Sequence, residues 1–200
     1  MKKILLTGFV PFLNYSINPT EHIVKQLNEQ TIGNYEVCGR VLPVDFEKSG
    51  KQIIKHFEET EPDVVLSLGL AAGNVKITPE RIAINCNDGE ADNRGSQKQD
   101  QRIVSDGPDG LFSTLPIRKL VNGLTDANLP AAISNTAGTY LCNHVMYTML
   151  HQVKKEGKAT RSGFVHIPAS HELAILNPKL PSWSEQDLLR AVTVIIELLD

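Results

Sequence analysis

Apolar residues recur along this chain with two periods. Residues 3–6, 35–41, 63–68, 81–86, 131–134 and 163–167 are short β-rich runs, several of them apolar at consecutive positions, as in strands covered on both faces. Between them the period lengthens to that of an amphipathic helix. Residues 20–29 carry Ile23, Val24 and Leu27 on one face, and residues 46–59 carry Ile53, Ile54 and Phe57. Residues 115–122, 141–156 and 184–199 complete the predicted helices, the last opened by Ser184 as N-cap with Asp187 in the first turn.

Strands alternating with helices, joined by right-handed crossovers, predict an α/β fold: an α/β/α sandwich around a mostly parallel twisted sheet. A length of 200 residues fits one domain over residues 1–200. In such sheets the site forms where loops leave the carboxyl ends of the strands. The one long irregular stretch, residues 87–110, is rich in Asp, Asn, Gly and Gln, and reads equally as a mobile loop or as a functional one, a lid or a subunit contact.

Composition narrows the function. A net charge of −3 and a pI near 6.1 give no electrostatic reason for a nucleic-acid partner. The densest basic cluster, Lys154, Lys155 and Lys158, falls where a helix should end, which cations favour. The apolar start of the chain is broken by Gly8 and Pro11, so it reads as a first strand rather than a signal peptide, and no run is long enough to span a membrane. Three cysteines without CxxC spacing argue against a disulfide framework or zinc site, and for a reducing, cytoplasmic setting.

Of these cysteines, Cys38 lies inside a strand-like run and reads as a small buried hydrophobe, and Cys86 is ambiguous. Cys142 differs. The stretch 131–151 reads strand, Gly-containing turn, helix, which puts Cys142 in the first turn of a helix at the carboxyl edge of the sheet. Free N–H groups and the positive helix end there favour a thiolate and can hold an oxyanion. A thiolate hydrolase also needs a base. Of the six histidines, His22 and His56 look like ordinary helical positions, His144 points away from Cys142, and His151 is two turns off. His171, in a Pro-flanked loop, stays open. His166 leads, because it ends the strand that follows the Cys142 helix. Glu80 reads either as the carboxylate orienting that histidine or as a local ion pair with Arg81.

Three segments together resemble the pyrrolidone-carboxylate peptidase (pyroglutamyl peptidase I) family. Gly69-Leu-Ala-Ala-Gly-Asn-Val-Lys-Ile-Thr-Pro-Glu-Arg-Ile-Ala-Ile-Asn is similar to its glutamate signature, and Ile133 through His151 to its cysteine signature. Phe164-Val-His-Ile-Pro resembles its histidine segment, and Thr7-Gly-Phe-Val-Pro-Phe with Asn18-Pro19 its amino-terminal motif. The resemblance runs from Lys3 to about Pro168; beyond that the chain matches mainly as a helix.

The resemblance implies a cytoplasmic cysteine peptidase that removes an amino-terminal pyroglutamyl residue from small peptides, without metal or cofactor, as a homotetramer. It assigns Cys142, His166 and Glu80 as the triad. Phe9, Phe12 and Tyr140 fall at positions that line the family's ring pocket, and Leu70 at a substrate contact that it can serve if the contact is through main-chain groups but not if a glutamine amide is required. A pyroglutamyl end is a flat, uncharged lactam, which suits an apolar pocket.

Two departures stand out. Gly69-Leu-Ala-Ala-Gly-Asn replaces the family's Gly-Gln-Ala-Gly-Gly-Arg, and Glu90 stands where relatives often carry an arginine near the oxyanion, a role left to Arg94. They motivate an alternative, a weakly catalytic relative that binds blocked peptides. A nucleoside-phosphorylase-like enzyme is a third reading, but no phosphate-cradling Gly-rich loop is present.

Overall fold

The computed structural model describes all 200 residues. Ten strands and six helices follow in the order β1 (Lys2–Phe9), α1 (Pro19–Leu27), β2 (Thr31–Ile32), β3 (Tyr35–Leu42), α2 (Ser49–Thr60), β4 (Val64–Leu70), β5 (Thr78–Pro79), β6 (Ile82–Ile84), β7 (Gly110–Phe112), α3 (Ile117–Asp126), α4 (Leu141–Glu156), β8 (Arg161–Ile167), β9 (Ala169–Ser170), α5 (His171–Leu176), β10 (Ser182–Trp183) and α6 (Glu185–Glu197).

The main sheet has six strands in the order β2-β3-β1-β4-β8-β5. The four long strands β3, β1, β4 and β8 are parallel, while the two-residue flanks β2 and β5 run antiparallel. All of β4 is buried, which explains why its sequence is apolar without alternation. Successive side chains of a strand point to opposite faces. Ile4, Leu6, Leu66 and Leu68 therefore pack with α1, α3 and α6, while Leu5, Val65 and Phe164 pack with α2 and α4. The result is the expected three-layer α/β/α sandwich.

Helix α1 sits unusually close to the sheet. It starts on an Asn18 cap whose side chain accepts from the Thr20 N–H, with Pro19 as the first helical residue. It crosses β1 and β3 above Gly8 and Gly39. A Cβ at either would come 2.6 Å from a helix carbonyl oxygen, that of Thr20 or Val24 respectively. At its other end the cysteine-bearing helix α4 stops at Gly157 in the left-handed conformation, with Lys154 and Lys155 in its last turn.

Two expected strands are corrected. Residues 131–134 meet 77–81 only through isolated parallel bridges, Ile77 with Ala131 and Glu80 with Ser134. Pro79 lies between those bridges and has no N–H, so a continuous ladder cannot form. Residues 81–86 contribute only β6, which pairs with β7 in a separate antiparallel ribbon. Its alternation of half-buried Ile82, buried Ala83 and exposed Ile84 is that of a one-sided ribbon. Helix α2 begins at Ser49 rather than near Phe46, because the Asp45 carboxylate accepts from the N–H groups of Glu47 and Lys48 and holds that segment as a turn. The short elements β2, β5, β7, β9, α5 and β10 carry too few residues for a periodicity to reveal.

Replacing Gly8 with alanine is expected to lower stability by about 1–3 kcal/mol through overpacking against α1. An unchanged midpoint in urea unfolding would contradict that close docking.

Candidate functional site

The site is built at the carboxyl edge of β4 and β8. Gly138, with φ of 76°, turns the chain into α4, a conformation in which a side chain would be strained. Tyr140 occupies the N-cap without a side-chain cap bond, and the first helical bond runs from the His144 N–H to the Tyr140 carbonyl, 3.0 Å. The N–H groups of Leu141, Cys142 and Asn143 have no protein acceptor. Cys142, second residue of α4, therefore stands among open donors at the positive end of the helix.

Its sulfur hangs over Gly69 near the end of β4. A Cβ at Gly69 would come 2.9 Å from Sγ and 2.7 Å from the Phe164 ring, so only glycine leaves room there. The neighbour of Gly69 across the β4–β8 ladder is His166. Register thus delivers the imidazole beside the sulfur, with the Phe164 ring packed against it at 5.0 Å between centroids.

Glu80 arrives from the other side of β8. Strand β5 pairs Thr78 with His166, and the Glu80 N–H donates to the Phe164 carbonyl at 2.9 Å. On its far flank, the Arg81 N–H donates to the Ser134 carbonyl and the Ser134 N–H to the Pro79 carbonyl, tying β5 to the segment that leads into α4. Glu80 is 1% exposed, and its Oε1 lies 2.7 Å from His166 Nδ1. A carboxylate can only accept, so Nδ1 carries a proton and Nε2 is left for the sulfur. Arg81 does not pair with Glu80; its Nε donates to Asn135 Oδ1 at 2.7 Å. Burial alone would lower the His166 pKa, but the Cys142 sulfur and then Glu80 favour the imidazolium and raise it above its ordinary value.

The other histidines lie elsewhere. His144 bonds Asn87 Oδ1 through Nδ1 at 3.0 Å, and burial, with Lys98 second, pushes its pKa down to about 4. His151 stacks on Tyr147, and His56 pairs with Glu59. His171 bonds Ser182 Oγ at 2.9 Å and, with His22 and Glu185, lines a separate cleft of about 180 Å³. Cys38 and Cys86 are free, and burial raises both thiols. No three His, Cys, Asp or Glu side chains converge as metal ligands would.

Around these three side chains, Phe12 and Tyr140 face each other with ring centroids 6.4 Å apart. The Tyr140 hydroxyl donates to the Ala91 carbonyl, and burial, followed by Asp92, Cys142 and Glu90, pushes its pKa up to about 12. Leu70 packs with Ala169 and Leu173 under Phe12, while Phe9 is only 3% exposed and lies deeper against Phe164. Arg94 does not turn to the site: it pairs with Asp45 and Glu47, each at 3.6 Å.

Sequence reasoning missed three buried asparagines. Asn143 binds both the N–H and the carbonyl of Ile84 and also the Cys86 carbonyl, strapping the β6 ribbon to the head of α4. Asn85 accepts from the N–H groups of Ile103 and Val104, and Asn87 holds His144. The stretch 87–110 is thereby pinned down along its length, despite its lack of regular structure. The available signal was polar residues at positions 85 and 87, inside or next to an apolar strand pattern, and at 143, beside the cysteine.

The family model described as pyroglutamyl peptidase matches residues 2–200, extending past the motifs into the carboxyl-terminal helix. A pyrrolidone-carboxylate peptidase of Oceanobacillus iheyensis is 54% identical over 200 residues, covering all of both chains. One of Halalkalibacterium halodurans is 54% identical over 195 residues, 97% of each chain. Among solved structures, the pyrrolidone carboxyl peptidase from Thermococcus litoralis superposes with a TM-score of 0.96 at 40% identity, over 100% of this chain and 93% of that one.

The electrostatics of the pair can be read directly. In NMR the His166 imidazole is expected to stay protonated above its ordinary titration range, near pH 6.5. In Cys142→Ala, where burial loses its main opponent, the titration is expected to move down. A titration unaffected by that substitution would contradict the assigned cause.

Proposed function

The chain belongs to the pyroglutamyl peptidase family, and from that premise we infer that it is a cysteine peptidase removing the amino-terminal pyroglutamyl residue from peptides. The observation that supports the reading is the line from buried Glu80 through half-buried His166 to Cys142, at the rim of the sheet within the matched region.

In this reading the Cys142 thiolate attacks the pyroglutamyl carbonyl carbon, and the N–H groups open at the head of α4 receive the oxyanion. The His166 imidazolium gives its proton to the departing amine as the C–N bond breaks, leaving a thioester on Cys142. Water then attacks the thioester carbonyl, His166 takes its proton, and pyroglutamate leaves with the thiolate restored. Glu80 keeps the imidazole in one tautomer and one orientation throughout. Phe12, Tyr140 and Leu70, with Phe9 beneath, supply an apolar setting suited to an uncharged lactam. No helix is long and apolar enough to cross a membrane. The three free cysteines support a cytoplasmic setting. A homo-oligomer, a tetramer in the family resemblance, is supported by apolar side chains exposed on the surface, among them Phe112 at 66% and Ile175 at 78%.

A pyroglutamyl amide of a fluorescent amine should be hydrolysed. Iodoacetamide should abolish the reaction, and Cys142→Ser should lower kcat by about 10³-fold or more. Equal cleavage of an alanyl amide with a free amine, or tight binding of pyroglutamyl peptides without turnover, would contradict the reading.

A further inference from the structure

The segment from Asp88 to Asn93 forms a wall beside the site. Asp88 exchanges two hydrogen bonds of 2.9 Å with Thr139, in the turn before Cys142. Gly89 lies against the Tyr140 ring, where a Cβ would come 3.8 Å from Cδ2, and the Ala91 carbonyl accepts from the Tyr140 hydroxyl at 3.0 Å. Asn93 reaches across to the Pro11 carbonyl at 2.9 Å, next to Phe12. Glu90 thus stands between two residues that touch Tyr140, itself two positions ahead of Cys142, and it is exposed.

This wall is uncompensated. Neither Asp88 nor Glu90 joins an ion pair, and Arg94, the nearest cation in sequence, is committed to Asp45 and Glu47. Lys98 lies within electrostatic reach of His144 and pairs with neither acid, and Arg102 is paired with Asp109. Asp92 is spoken for by the N–H groups of Phe46, Arg94 and Ser96. A pyroglutamyl end carries no charge, so an electrostatic preference can act only on the peptide that leaves.

We infer that Glu90, assisted by Asp88, makes this enzyme favour a lysine or arginine directly after the pyroglutamyl residue over an aspartate or glutamate. The inference rests on the hydrolase reading above. Solvent-exposed charges several ångströms apart shift binding by a few-fold and are screened by salt.

The test compares kcat/KM for pyroglutamyl-lysyl, -alanyl and -glutamyl amides, followed by chromatography of the freed pyroglutamate. The lysyl substrate should exceed the glutamyl one by about three- to tenfold at low ionic strength, with the ratio falling toward one in about 0.5 M sodium chloride. Glu90→Gln should shrink the ratio and Glu90→Lys should invert it. A ratio of one at low salt, or a ratio that both variants leave unchanged, overturns the inference. Failure to cleave even the neutral alanyl substrate overturns the hydrolase reading instead, and this inference with it.

Discussion

The site depends on one part-buried hydrogen bond, from His166 Nδ1 to Glu80 Oε1 at 2.7 Å. A carboxylate that is 1% exposed is costly to bury, and Glu80 Oε2 has no partner at all. The imidazolium is what makes its burial tolerable: removing one member of such a pair typically costs about 3–5 kcal/mol, since the other charge is left stranded. The imidazolium in turn owes its raised pKa to the sulfur on its other side as well as to Glu80. The protonated imidazole is therefore held from both sides, by the sulfur and by the carboxylate.

Secondary structure of little intrinsic strength does the placing. Strand β5 is two residues long, yet it is tied to β8 on one flank and to residues 130–134 on the other. Three pieces of chain distant in sequence, those bearing Glu80, Cys142 and His166, thus meet along one edge. The helix head adds a set of unpaired N–H groups beside the sulfur. Buried Asn143 then fastens the β6 ribbon to that head, and Asn85 and Asn87 fasten the long irregular stretch by side-chain bonds to the N–H groups of Ile103 and Val104 and to His144. A loop of this length keeps its shape because its backbone groups find such partners inside the protein.

Much of this was legible in the sequence where long periodic patterns exist. The four parallel strands and the five longer helices follow from hydrophobic period alone, and strand-turn-helix logic sufficed to put Cys142 at a helix head. The pairing of Glu80 was legible only through the family resemblance: the local pattern left Arg81 as good a partner, and the structure shows that Arg81 turns to Asn135 instead. The strand expected at 131–134 fails for a reason visible only once its partner is known, the missing N–H of Pro79. The need for glycine at position 69 likewise shows only in the structure, where the Phe164 ring and the Cys142 sulfur lie above it. Arg94, expected to stand in near the oxyanion, is drawn off by two carboxylates that no local pattern reveals.

The central claim is that Glu80 acts through His166, fixing the tautomer and bearing of the imidazole rather than merely filling space. Glu80→Gln keeps the volume and removes the charge, so kcat on a pyroglutamyl amide, measured beside the urea midpoint of the same protein, separates the two roles. A fall in kcat of about 10²–10⁴-fold is expected, in a protein that is still folded. A folded Glu80→Gln enzyme within about threefold of the parent kcat would contradict it, because an effect that small, roughly 0.6 kcal/mol, is below what orienting the base should supply.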